Sequence, residues 1–349
     1  MRTSCLINNY NYSKFVVEAV QSALNQSVAF DEIIIVDDAS TDNSVEVIQH
    51  HFEDHPIVKT IFKEKNEGQL SSFNTGVAVA TGDLLFFLDA DDLYKRQYLE
   101  IALKIYENYP DCDFLISAHQ AFRSAEPGQK PEEGRSPDFA QPTVQIIDLG
   151  YSIISCWHRQ RFVGGRTSTL SMRKKVADQF MPVPYLQDWR IRADDCLVYG
   201  ASMAGARKFK VNAPLIDYRI HQTNNFAHTQ GDKQRASSPG AVSSSYKRRV
   251  AINKLLNHCY NRLSYSTNLS ELAAFEFQTI RKPSSSLLLL YAGIILYSDL
   301  ALSEKLKSLS LIFKWFAGSR RKSFYETLRW CTEMSESSLY NRELQQMTR

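Results

Sequence analysis

The apolar positions of this chain fall first into short continuous runs separated by helical repeats. Residues 3–8 form an apolar run closed by the polar stretch Asn9, Tyr10, Asn11, Tyr12 and Ser13. Residues 14–25 then place Val16, Ala19, Val20, Ala23 and Leu24 on one helical face. The β-branched run Ile33, Ile34, Ile35 and Val36 predicts a second strand, ending at Asp37 and Asp38. Thr41 or Asp42 caps a helix carrying Val45, Val47 and Ile48. Residues 58–62 predict a third strand, and the turn Asn66-Glu67-Gly68-Gln69 leads into a helix over 70–80. Residues 84–88 read as a strand buried on both faces. Tyr98, Leu99, Ala102, Leu103, Ile105, Tyr106 and Tyr109 give another helix, and 113–117 a fifth strand.

This alternation predicts a parallel sheet with helices on both faces. Right-handed crossovers put the C-terminal ends of the strands on one rim. Three polar clusters fall there, at 8–10, 37–38 and 89–92. The last is the densest, with Asp89, Asp91 and Asp92 in four residues. Like charges that close resist ionisation unless a cation sits among them. A hard divalent ion that keeps ligand positions for substrate phosphates meets that need. A helix cap would require only one of these aspartates.

Farther on, residues 124–142 are rich in Pro, Gly and charge and predict a long inserted loop. A strand at 167–172 and a short helix at 174–180 precede an irregular polar segment, 187–190, in which Trp189 reads as exposed. Asp194 and Asp195 open a helix that ends at Gly205. A short strand at 215–218 runs into Arg219, Ile220 and His221. Residues 229–245 predict a linker between a domain over 1–228 and a helical region over 246–349. In that region Lys305, Lys307, Lys314, Arg320, Arg321 and Lys322 surround Leu306, Leu309, Leu311, Ile312, Phe313, Trp315 and Phe316. The pattern suits an anionic membrane surface, or equally a solvated face backing a helical core.

Composition narrows the classes. The 349 residues leave room for two domains, and 44% apolar with 23% charged residues is ordinary for a globular protein. A net charge of +3 makes no case for nucleic acid. No signal peptide is visible, and the longest apolar run, 287–297, falls well short of a membrane span. Six singly scattered cysteines predict free thiols in a reducing cytoplasm. The expected location is therefore cytoplasmic, or peripheral at the inner membrane surface. No GxGxxG follows a strand and no GxxxxGK[ST] occurs, which argues against a dinucleotide dehydrogenase and a P-loop kinase.

Five segments in order closely resemble the family 2 glycosyltransferases of the GT-A fold, over residues 3–225. They are Asn8-Asn9-Tyr10-Asn11, Val36-Asp37-Asp38-Ala39-Ser40, Asn66-x-Gly68 with Asn74 and Gly76, Thr81-Gly82-Asp83, and Leu88-Asp89-Ala90-Asp91-Asp92. The resemblance implies an α/β fold, a Rossmann-like mixed sheet flanked by helices, with a helical C-terminal region. It implies metal-dependent, inverting transfer from a UDP- or GDP-type sugar to a hydroxyl of a glycan or lipid-linked acceptor, with Mn²⁺ or Mg²⁺. Asp38, with Asp37 beside it, matches the reader of the base, and Asn8 and Tyr10 line the same pocket. Asn66, Gly68 and Gln69 belong to the donor site. Asp91 matches the metal ligand, Asp89 faces the ribose or the metal's surroundings, and His221 can reach the metal.

Asp194 matches the general base, with Asp195 as the competing register, because the family's Glu-Asp pair is Ala193-Asp194 here. The helix N-terminus is expected to hold the pKa of that base low. Phe73 stands where many members carry Arg, so Gln69 is left to supply a polar contact. The helical region positions the acceptor, docks on a membrane, or pairs in an oligomer. Two other readings stay open. A sugar-phosphate nucleotidylyltransferase would want a Gly-rich basic loop after the first strand, and residues 8–13 hold neither Gly nor Arg. A non-catalytic nucleotide-sugar-binding protein would bind donor without turnover.

Overall fold

Strand and helix assignments are drawn from a computed structural model, which describes residues 1–123, 144–221, 239–264 and 269–319. The predicted loop at 124–142 lies outside the described residues. The chain divides into two compact units, Met1–Ser266 and Thr267–Arg349.

The first unit is built on one sheet. Its strands are β1 (Thr3–Asn9), β2 (Glu32–Asp37), β3 (Val58–Phe62), β4 (Leu84–Asp89), β5 (Leu93–Tyr94), β6 (Phe114–Arg123), β7 (Ile146–Gly150), β8 (Leu170–Arg173) and β9 (Lys208–Ile220). The order is β3-β2-β1-β4-β8-β6-β9-β5, with β7 pairing β9. β3, β2, β1 and β4 are mutually parallel, whereas β8 runs antiparallel to both β4 and β6. The sheet is therefore mixed, as the resemblance implies, and not wholly parallel, as the alternation alone suggested. The helices of the unit are α1 (Val16–Leu24), α2 (Ser44–Phe52), α3 (Gln69–Val79), α4 (Tyr98–Asn108), α5 (Ile153–Arg159), α6 (Lys174–Phe180), α7 (Asp194–Met203) and α8 (Pro239–Arg262).

The apolar runs of β1, β2 and β4 are hydrophobic at every position because both faces are covered. Cys5, Ile7, Ile33, Ile35, Phe86 and Leu88 share one core with Val16, Val20, Tyr98, Leu99 and Ala102 from α1 and α4. Successive side chains alternate, so the intervening residues meet α3: Phe73 sits edge-on to Phe87 at 5.4 Å. The β2 entrance is tied by a buried carboxylate. Glu32 accepts from the Ser4 hydroxyl at 2.6 Å, the Thr81 backbone N–H at 2.6 Å and the Lys59 ammonium at 2.6 Å. Those bonds outweigh the burial that would raise its pKa and hold the carboxyl at about 2. The cysteines among the described residues are free and buried, as expected.

Three expectations change. Trp189 is 2% exposed, because the 186–189 turn folds its indole inward. Residues 239–245, expected as linker, lie in α8, and 229–238 lie outside the described residues. α8 itself is bound into the first unit: Arg248 pairs with Asp195 and Lys254 with Asp188, and Leu255, Leu256 and Cys259 are buried. The boundary accordingly falls after Ser266.

The second unit contains α9 (Ala273–Thr279), α10 (Ser285–Leu296) and a helix, α11, over 302–319. Ser284 caps α10 by accepting from the Leu287 backbone N–H at 3.2 Å. Among the described residues, no helix is long and apolar enough to cross a membrane.

Candidate active site

Parallel pairing sets three strand ends side by side. Asn8 of β1 lies opposite Val36 of β2 and Asp89 of β4, and Asn9 lies opposite Asp37. Past these ends opens a cavity of about 350 Å³. Asn8, Tyr10, Asp38, Asn66, Gly68, Gln69, Asp89 and Asp91 all line it, so residues far apart in sequence meet in one place.

Asp37 does not join them. Its carboxylate accepts from the Asn9 amide at 2.7 Å and from the Ser40 backbone N–H and hydroxyl at 2.8 and 2.6 Å. It is fully buried, holds the β1 and β2 ends together and does not line the cavity. Asp38 lines the cavity but also anchors the next turn. One oxygen takes the Lys63 ammonium at 2.6 Å and the Glu67 N–H at 3.1 Å, and the other takes the Gly68 N–H at 2.6 Å. The second oxygen keeps one lone pair for a ligand. The Asn8 side-chain amide oxygen, Oδ1, is buried with no hydrogen-bond partner.

Gly68 adopts φ +94°, and a Cβ there would stand 2.5 Å from the Arg190 Cα. That contact is why a glycine follows Asn66 and Glu67. The turn is stitched to the segment 190–193: the Gln69 N–H donates to the Arg190 carbonyl at 2.9 Å, and the Arg190 guanidinium reaches Asn66. Gln69 spans the gap. Its amide NH₂ donates to Asp89 at 2.9 Å and its carbonyl oxygen accepts the Ala193 N–H at 2.9 Å.

Asp89, Asp91 and Asp92 bring carboxylate oxygens within 4.8 Å of one another. Asp92 is committed to the protein, accepting from the Ser168 hydroxyl at 2.6 Å and the Arg219 N–H at 2.9 Å. The buried Arg219 guanidinium also donates to the Asp91 carbonyl at 2.8 Å and to Glu18 at 2.6 Å, which fixes the Asp91–Asp92 backbone. His221 Nε2 stands 3.0 Å from the Asp91 carboxylate, with its ring against Tyr12 and Phe15. Burial, then the charge of Asp91, then that of Asp194, pushes Asp89 up to about 7. Burial, then the charges of Asp91 and Asp89, pushes Asp92 well above the usual carboxylate range. A crowded all-oxygen set with excess negative charge fits a hard divalent cation.

Asp194 and Asp195 part company here. Asp195 is buried and gripped by Arg248, whose Nε and Nη2 donate at 2.9 and 2.7 Å. Asp194 is not a lining side chain; it follows the lining residues Arg190, Ile191 and Arg192, close enough to Asp89 to raise its pKa. Burial, helped by the Asp195 charge, raises Asp194 to about 6. Desolvation thus overrides the helix N-terminus that was expected to hold it low. Tyr12, Ser72, Arg190, Ile191, Arg192 and Tyr218 also line the cavity and were not singled out from sequence. Phe73 points into the core, so the cations near the cavity come from Arg190 and Arg192 instead.

The mixed sheet flanked by helices, with carboxylates gathered at the ends of its parallel strands, is of the GT-A type. The chain belongs to glycosyl transferase family 2, whose family model matches residues 4–212. It is a glycosyltransferase. An uncharacterized glycosyltransferase of Nostoc sp. is 32% identical over 276 residues, covering 77% of this chain and 79% of that protein. The chondroitin synthase of Escherichia coli is 40% identical over 100 residues, 29% of this chain and 14% of the synthase. A crystal structure of S. aureus TarS 1–349 in complex with UDP-GlcNAc aligns with a TM-score of 0.49 at 17% identity, over 93% of this chain and 75% of that one.

Proposed function

We propose that the unit Met1–Ser266 transfers a sugar from a UDP- or GDP-type donor to a hydroxyl of a glycan or lipid-linked acceptor, with inversion at the anomeric carbon. One observation carries this reading: Asp38, Asp89, Asp91, Arg190 and Arg192 line a single cavity, with Asp194 next to it. The name of the chondroitin synthase relative supports a glycan acceptor.

Asn8 offers an unpartnered acceptor and Asp38 a spare lone pair for ring N–H groups of the base. Tyr10 closes the base pocket, and Arg190 and Arg192 face the diphosphate. Asp89 and Asp91, with His221 beside them, would hold Mn²⁺ or Mg²⁺, which when bound offsets charge on the departing diphosphate. Asp194 takes the proton of the acceptor hydroxyl as its oxygen bonds to the anomeric carbon. The bond from that carbon to the diphosphate breaks, and the nucleoside diphosphate leaves with the electron pair. The Arg248 grip on both oxygens of Asp195 favours Asp194 over Asp195 for this role.

The test is calorimetric titration of UDP and GDP with and without Mn²⁺, on the native chain and on Asp91→Ala. One nucleotide should bind more tightly with metal, and Asp91→Ala should remove the metal's contribution. Metal-independent binding that Asp91→Ala leaves unchanged would refute the metal assignment.

A further inference from the structure

The helix α11 meets the rest of its own unit along one side. Ile312 is fully buried, and the Trp315 indole N–H donates to the Ile280 carbonyl at 3.2 Å. Leu302, Leu306 and Phe313, four and seven residues apart, share a different side. They are 73%, 60% and 50% exposed. Had this apolar stripe served only the core of the unit, those residues would be buried; Ile312 fills that role instead. Elsewhere in the unit Leu289, Leu296 and Tyr297 are also largely exposed. Scattered exposed apolar residues are normal, but a continuous row along one helix marks a contact surface.

Charge says which partner fits. Lys307 and Lys314, both exposed, stand seven residues apart and therefore along one flank of the stripe. Lys305 lies on the opposite flank, reaching the Leu296 carbonyl at 3.0 Å. Glu304 is the one acidic residue in 302–319, and the sequence continues with Arg320, Arg321 and Lys322. We propose that the Leu302, Leu306 and Phe313 face of α11 docks in the plane of a membrane surface containing anionic lipid. The spacing would also seat a second copy of this helix. Self-pairing, however, brings the lysine flanks together with only Glu304 of each copy to offset them. Anionic headgroups supply that missing charge, and lysine stems can lie along the apolar side while their ammonium groups reach the headgroups.

The full chain is co-sedimented with phosphatidylcholine vesicles with and without phosphatidylglycerol, which requires no turnover. Binding should need phosphatidylglycerol and weaken with salt. Each of Lys307→Gln and Lys314→Gln should cost about fivefold. Leu306→Glu with Phe313→Glu should abolish binding while the melting temperature stays unchanged, since both sites are exposed. Equal binding to phosphatidylcholine alone, or binding to neither vesicle, overturns the proposal. So does a chain found dimeric by sedimentation velocity that Leu306→Glu makes monomeric. Failure of nucleotide to bind would count against the proposed donor site and leave this inference untouched.

Discussion

Two adjacent aspartates at the start of α7 stand in different environments, which is what favours one of them for the proposed base. Asp195 sits in a two-point grip from Arg248, while Asp194 is half-buried beside other carboxylates. Asp194→Asn should therefore lower the transfer rate by a factor on the order of 10² to 10⁴ with donor affinity retained. Asp195→Asn should mainly destabilise, by about 1–3 kcal/mol, because it strips a charge partner from Arg248. Steady-state kinetics and thermal melts on both variants separate the two. A pH dependence follows as well. In the proposed mechanism Asp194 acts ionised, so in the free enzyme the rate should fall as pH drops through about 6. Its folded pKa lies above the ordinary aspartate value of 3.8, so the folded state holds this proton more tightly. Stability from this group is thus present at low pH and lost as pH rises from 3.8 to about 6. Asp194→Asn should in consequence melt no lower than the native chain at pH 8, a result opposite to that for Asp195→Asn.

At the scale of elements, the turn 66–69 joins the rim of the cavity to the segment leading into α7, and glycine is what permits it. Gly68→Ala would force a Cβ onto the Arg190 backbone and strain a positive φ. The expected outcome is loss of most nucleotide affinity together with a melting temperature lowered by several degrees, as measured by titration and calorimetry. If Gly68→Ala binds nucleotide normally, the contact between the turn and 190–193 does not shape the site. The same elements show what sequence could reveal. Strands buried on both faces and ending in carboxylates announce themselves, so Asp38, Asp89 and Asp91 were legible. The segment 186–193 has no periodicity, so nothing marked Arg190 and Arg192 as cavity residues or Trp189 as buried. β5, of two residues, and β7, on a sheet edge, are too short or too polar to stand out. Asp37 looked functional because it neighbours Asp38, yet alternation along a strand turns consecutive side chains opposite ways.

For the whole molecule, the division after Ser266 has a consequence that the expected linker at 229–245 would have misplaced. The start of α8, Pro-Gly-Ala-Val-Ser-Ser-Ser, has a loop-like composition, and its basic continuation gave no apolar repeat strong enough to bind it to the sheet domain by eye. Tertiary contacts decide otherwise: Arg248 neutralises Asp195, Gln160 donates to Asn253 at 2.7 Å, and the Arg262 guanidinium reaches the Met181 carbonyl at 2.6 Å. A chain ending at Ser266 should thus retain nucleotide affinity within about twofold and melt cooperatively, since every residue lining the cavity and α8 itself remain. A chain ending at residue 238 should melt several degrees lower, because Asp195 is left buried without its cation and the apolar face of Leu255, Leu256 and Cys259 is gone. Calorimetric melts and UDP or GDP titrations of the two truncations decide the matter. Equal stability for both would mean that α8 is dispensable to the sheet domain and that the boundary belongs before it.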